Sequence, residues 1–458
     1  VISADRVVDM ALQARTVDAL IVIVTDRGDA SLRWAGNSMT TNGVTQSRGW
    51  SVIALIDDAE GVRVGTVASS TVDADSIPDV VRAAEEAAKS APPARDVAPL
   101  IENAGVPDDW AEPAPLTDVQ VFAPIVGDLA AGFDGADRLY GFAHHRVETI
   151  LVGTSTGLRR RHTVPTATIE INGKRGDLAT GPSAWVGARG TDFGAVAIPE
   201  MLADLNTRLD WANRRVDLPA ERYETLLPPS AVADLMIALY WSLDGRGAQE
   251  GRTALSRAGG TRVGEKLTDL PVTLYSDPRE TGLETLPFVV ASSSSDSVSI
   301  FDNGMPLERT DWIRGGSINS LVYPRAAAEE FGVRAAGAID NLVLTGGSGG
   351  ANLAEMVAGT ERGLLLTTLW YIREVDPATL LLTGLTRDGV YLVEDGEVTA
   401  AVNNFRFNES PLDLLRRATE VGATEPTLPR EQGDWFTRAA MPALRIPDFH
   451  MSSVSQAQ

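Results

Sequence analysis

Residues 18–36 read DALIVIVTDRGDASLRWAG, and the way they fold sets the class of everything around them. Leu20 to Val24 are apolar and mostly β-branched, and apolar residues return at Ala30, Leu32 and Trp34. Such residues suit a pleated, half-buried surface. Asp26-Arg27-Gly28-Asp29 between them has turn chemistry, so the stretch predicts strand, turn, strand. The next stretch, TTNGVTQSRGWSVIALIDDAEGVRVGTVASS (40–70), predicts two more strands with a turn around Asp57 to Gly61. An amphipathic helix precedes the meander, capped by Ser3 and running to about Arg15. An Ala-rich helix follows in DADSIPDVVRAAEEAAKSAPP and is ended by Pro92-Pro93. Helix, antiparallel meander and helix together predict an α+β fold.

At 458 residues the chain exceeds one ordinary core, which predicts two domains. Prolines break VDLPAERYETLLPP (216–229), and the expected division falls there. It gives an N-terminal α+β domain over 1–220 and a mostly antiparallel β domain with helices over 221–458. In the first, a helix is expected around Val119 to Phe133 and a strand from about Arg146 to Val152. A turn and strand pair follows, with Thr163, Pro165, Ala167, Ile169 and Ile171 on one face. In the second, Asn303-Gly304 predicts a hairpin on a type I′ turn, and Asp395-Gly396 predicts another hairpin. AIDNLVLTGGSGGANLAEMVAGTERGLLLTTLWYI reads strand, glycine loop, helix, strand. There Asn352 and Glu355 form a capping box and Gly359 stops the helix.

Composition narrows the function. Acidic residues outnumber basic ones 62 to 40, a net charge of −22, which repels nucleic-acid backbones. No apolar run reaches the length of a membrane span, and the first residues lack the pattern of a signal peptide. A cytoplasmic protein with no nucleic-acid or membrane partner is therefore expected. The absence of cysteine rules out disulfides, thiolate zinc sites and a cysteine nucleophile. Four histidines are present, His144, His145, His162 and His450, and none belongs to an HExxH-type motif. His144 and His145 are adjacent in an expected strand, so they point to opposite faces and cannot chelate one ion together.

One stretch fits a nucleophile elbow. Gly346-Gly347-Ser348-Gly349-Gly350 matches G-x-S-x-G between an expected strand and helix. A triad would then require His450 with Asp434 or Asp448. His450 lies in a stretch with no predicted element to hold it, and the upstream half lacks alternating β and α units. The segment reads as a glycine-rich turn, with a serine hydrolase using Ser348 as the alternative. A phosphate loop is disfavoured, because no Lys-Ser/Thr follows the glycines.

The order of these motifs resembles the TldD/PmbA family. The likeness is carried by VTDRGDASLRWAGNSMTTNGVTQSRGWSVIALID and by FVVASSSSDSVSIFDNGMPLERTDWIRGGSINSLVYPRAAAEEFG. The glycine loop before NLAEMVAGTERGLLLTTL and the hairpin GVYLVEDGEV fall in the family's order too. In the family's catalytic subunits a helix carries HExxxH, and a cysteine near the C-terminus completes a zinc site. The corresponding helix here is AVADLMIALYWSLDGRGAQEG (231–251). The resemblance puts Leu235, Met236, Ile237, and Tyr240 or Trp241 where the ligands and the water-activating Glu would stand. It therefore implies a non-catalytic TldE/PmbA-like subunit with no metal or catalytic residue of its own. The implied partner is an HExxxH-bearing TldD-like chain that holds the zinc and cleaves a peptide or peptide-like amide. The polar segment after the helix, with Trp241, Asp244, Arg246 and Arg252, is the candidate surface for substrate or partner.

Overall fold

The computed structural model describes residues 2–102, 105–178, 181–347 and 349–455. The fold is α+β and rests on two sheets. The first contains β1 (Ala19–Ala35), β2 (Met39–Asp58), β3 (Gly61–Ser69), β4 (Arg138–Thr154), β5 (Arg159–Lys174) and β6 (Ser183–Gly190). Their order is β3-β2-β1-β4-β5-β6, and every neighbouring pair is antiparallel.

The alternation of a strand decides what covers this sheet. Leu20, Val22 and Val24 pack with α1 (Ala4–Gln13) and α2 (Ile77–Ser90). Farther along the same face of β1, Ala30, Leu32 and Trp34 pack with α3 (Ala123–Phe133) and α4 (Ile198–Trp211). Ile21 and Ile23 point the other way and meet Phe288, Val289, Ile300 and Phe301 from the second half of the chain. Gly141 lets β4 lie flush: a Cβ there would sit 2.0 Å from the Glu170 carbonyl oxygen and 2.7 Å from the Trp34 ring.

The expected turn at Asp26–Asp29 does not form. These residues continue β1, with Arg27 opposite Ser47 on one side and Glu148 on the other. Cross-strand ion pairs account for the charges: Asp26 holds Arg48, Arg27 reaches Glu148 at 2.6 Å, and Asp29 accepts from Arg146 at 2.7 Å. Pairing on both edges overrides the local turn preference. For the same reason β4 is far longer than the expected 146–152, and β5 is one unbroken strand. Ser3 precedes α1 but its side chain makes no capping bond.

The second sheet opens with β7 (Arg215–Val216) and β8 (Arg222–Leu227). It is mostly antiparallel, with three parallel pairings among the described residues. The long strand Ala439–Val454 lies at its centre. It pairs antiparallel with β8, with Glu420–Thr427 and with Phe405–Glu409, and parallel with Leu342–Thr345. His450 therefore sits in a long paired strand, opposite Arg222, and not in an unsupported stretch.

The two dipeptide turns diverge. Asp395 (φ 51°) and Gly396 (φ 83°) both take the positive φ that a type I′ hairpin requires. Asn303 instead has φ −52° and ψ 125° before Gly304 at φ 81°, which is a type II turn, closed by the Met305 N–H donating to the Asp302 carbonyl. The buried Asn303 side chain is committed elsewhere: its Oδ1 accepts from the Ala291 N–H, and its Nδ2 donates to the Ala291 and Ile300 carbonyls. The Asn352–Glu355 capping box forms as expected. Among the described residues no helix is long and apolar enough to cross a membrane.

Candidate functional site

Helix α5 (Pro229–Trp241) is the helix singled out in the sequence. Its fixed-φ proline suits the first helical position. It is apolar nearly all round, as a helix inside a core should be. Leu235, Met236, Ile237 and Leu239 are at most 1 % exposed and belong to the largest apolar cluster. The Tyr240 ring packs against Trp312 and Phe436. Its hydroxyl donates to the Ile339 carbonyl at 2.8 Å and accepts the Ile339 N–H at 2.7 Å. Trp241, at the helix end, is half exposed. A thioether, an alkyl chain and a committed phenol do not fit a zinc site, which calls for imidazole, carboxylate or thiolate donors. Among the described residues no group of three or more His, Asp and Glu side chains is placed to hold a metal ion.

The one charged residue inside α5 has a different use. Asp234 is fully buried, and its carboxylate accepts backbone N–H groups from Arg430 (3.3 Å), Glu431 (3.0 Å) and Gln432 (3.0 Å). Burial pushes its pKa up to about 7, against the pull of those N–H groups toward the ionised form. Asp234 thus fastens the helix to the 430–432 loop. Sequence reasoning passed over it, although an acid flanked by Ala233 and Leu235 in an apolar helix is itself a sign of a buried, bonded carboxylate.

The segment after α5 is not an open loop. It contains α6 (Gly245–Gln249), capped by Asp244, whose Oδ2 accepts the Gly247 N–H at 3.1 Å. Gly245 is required because a Cβ would sit 2.3 Å from the Tyr323 ring. Burial raises the Asp244 pKa, and its Oδ1 has no hydrogen-bond partner. Arg246 pairs with Glu330 and lies 5.3 Å from the centre of the Phe331 ring. Arg252 reaches Glu250 and Asp296, each at 2.8 Å. Asp244, Arg246 and Arg252 thus gather around α6, with both arginines already paired and both reaching Glu250, while Trp241 stands at the end of α5.

The remaining candidates do not converge. His144 meets Asp29 at 2.9 Å, and His145 bonds Thr117 at 2.7 Å and the Thr191 carbonyl at 3.1 Å. Burial lowers the pKa of His144, His145 and His162 alike. Ser348 lies outside the described residues. On either side of it the chain runs close to its neighbours: a Cβ on Gly346 would sit 2.5 Å from Val421, and one on Gly350 2.3 Å from Gly422. That crowding accounts for glycine in the turn. Asp448 is engaged by Arg417, and the His450 backbone N–H donates to Glu409 at 2.7 Å.

Comparison with known proteins agrees with this architecture. Residues 220–453 match the PmbA/TldA metallopeptidase C-terminal domain, and residues 22–91 match PmbA/TldA metallopeptidase domain 1. No curated protein matches the chain. Among solved structures, TldE from Thermococcus kodakarensis superposes with a TM-score of 0.78 at 17% identity, over 97% of this chain and 99% of that one. A protein from Bacteroides thetaiotaomicron, described as a candidate modulator of DNA gyrase, gives 0.76 at 16% identity, over 98% of each chain. One from Thermotoga maritima, described in the same way, gives 0.75 at 14% identity, over 97% of this chain and 98% of that one. At such identities these structures share the fold. The domain matches span most of the chain, which therefore belongs to the TldD/PmbA family.

Proposed function

We propose that this chain is the TldE-type, metal-free subunit of a cytoplasmic two-component peptidase. Its partner is a TldD-like chain bearing HExxxH, which holds the zinc and hydrolyses a peptide or peptide-like amide. The observation that carries this reading is the state of α5: Met236 and Ile237 are sealed in the core where a ligand and a water-activating acid would have to face a cleft. The family membership and the absence of cysteine support it. In this reading the chain contributes shape and charge at the substrate path, through Trp241, Asp244, Arg246 and Arg252. No acid, base and nucleophile set among its described residues supports a reaction of its own.

The test is co-expression with an HExxxH-bearing homologue, followed by size-exclusion chromatography and an amide-hydrolysis assay. Co-elution is expected, with hydrolysis only when both chains are present and no zinc held by this chain alone. Hydrolysis by the isolated chain, or about one tightly bound zinc lost on replacing His144 or His162, would overturn the proposal.

A further inference from the structure

A cavity of 780 Å³ separates the far end of the first sheet from the second. That volume suits a ligand of drug or short-peptide size. Its lining inverts the charge of the molecule. Lys174, Arg215, Arg387 and Arg430 face one acid, Asp388, in a chain of net charge −22. Arg430 is fixed: its guanidinium lies 5.2 Å from the Trp185 ring centre and 4.8 Å from that of Trp370, and it pairs with Glu170 at 2.7 Å. Arg387 lies 5.7 Å from the centre of the Trp370 ring, and Asp388 is 3.5 Å away. Arg215 and Lys174 have no ion pair among the described residues; Lys174 donates to the Leu178 carbonyl.

The cavity is bordered by two sheet edges. β6, contributing Ser183 and Trp185, ends the first sheet, and β7, contributing Arg215, ends the second. Along these edges, backbone groups outside the ladders can meet an extended peptide, apart from the Trp185 carbonyl, which accepts from Arg208 at 2.8 Å. Guanidinium groups favour carboxylates through paired, charge-assisted hydrogen bonds.

We infer that this cavity binds an extended peptide segment bearing carboxylates, with the acidic groups on Arg215 and Arg387 and the backbone between the β6 and β7 edges. The inference goes beyond the subunit reading and needs neither a partner chain nor hydrolysis.

The test uses the full chain alone at low ionic strength. Binding of a fluorescently labelled, acetylated Gly-Glu hexapeptide is followed by anisotropy, with a Gly-Lys hexapeptide, inorganic phosphate and acetate as comparisons. The acidic peptide should bind saturably and perturb tryptophan emission through Trp185 and Trp370, and its affinity should fall as salt is added. The basic peptide should not bind. The double variant Arg215→Glu/Arg387→Glu should weaken binding at least about ten-fold with an unchanged melting temperature. Arg334→Glu, a highly exposed position outside the lining, should leave binding unchanged. Absence of saturable binding to the acidic peptide, or equal binding by wild type and the double variant, would overturn the inference. So would phosphate or acetate saturating the site as tightly as the peptide, which would mark a site for free anions.

Discussion

Removal of the Asp234 carboxylate should unfasten α5 from the 430–432 loop at a measurable cost in stability. Asp234→Ala takes the acceptor from three N–H groups, of which that of Gln432 is buried and those of Arg430 and Glu431 partly so. A buried donor left unsatisfied costs about 1–3 kcal/mol, and water can reach the two outer ones, so a loss of about 3 kcal/mol is expected. Asp234→Asn keeps one acceptor oxygen and should lose less. The acid also makes the deficit depend on pH. Its folded pKa of about 7 stands above an unfolded value near 3.9, so between these values the native state keeps a proton that the unfolded state has released. The contribution of Asp234 is fullest below the unfolded pKa and falls as pH rises through the folded one. From pH 5 to pH 8 that fall amounts to about 2–3 kcal/mol, and Asn, which does not titrate, lacks it. The deficit of Asp234→Asn relative to wild type should therefore shrink by that amount. Urea unfolding at the two pH values measures both effects. A loss below about 1 kcal/mol for Asp234→Ala, or an Asn deficit that is flat with pH, would refute the reasoning.

Placing His, Glu and His at Met236, Ile237 and Trp241 should cost at least about 4 kcal/mol and create no amide hydrolysis, because two of the three sites are in the core. An unchanged thermal melt would mean that the helix is not buried. Charge reversal of Arg246 and Arg252 should leave the thermal melt close to wild type, since exposed ion pairs contribute little to stability. It should still reduce assembly or turnover after mixing with the HExxxH-bearing chain, and full turnover would place the α6 segment away from the partner's cleft. Gly141→Ala should destabilise by about 2 kcal/mol or more through its clash with Glu170 and Trp34; a wild-type melt would count against the β4–β5 register. Ser348→Ala should leave hydrolysis by the assembled pair within a few-fold of wild type, whereas loss of a triad serine would remove several orders of magnitude.

What the sequence made legible follows from how local each determinant is. The Asp395-Gly396 hairpin and the Asn352–Glu355 capping box are set by residues three or four apart, and both formed. Asp26-Arg27-Gly28-Asp29 has equally clear local chemistry, yet partners at Arg48, Arg146 and Glu148, up to 121 residues away, hold it in a strand. Asn303-Gly304 forms a turn of another type and joins no two strands, so the expected hairpin is absent there, because the Asn303 amide answers to Ala291 and Ile300. His450 looked unsupported because its support, β8, lies more than 200 residues upstream. At the candidate site the apolar character of α5 was readable from spacing alone. The role of Asp234 was not, since its three donors come from a loop 196 to 198 residues later.

The central strand of the second sheet has a further consequence, for the order in which the molecule can fold. β8 is synthesised at residues 222–227, but its antiparallel neighbour is Ala439–Val454, and that same strand also receives Leu342–Thr345, Phe405–Glu409 and Glu420–Thr427. While the ribosome is making the intervening two hundred residues, these strands have open edges and no seam to close on. The first sheet is nearly free of this delay, since its strands join their sequence neighbours apart from β1 with β4. Folding should therefore proceed in two phases, an early one for the first sheet and a slow, high-contact-order one for the second. In the interval the half-built second sheet is the part of the chain most exposed to aggregation.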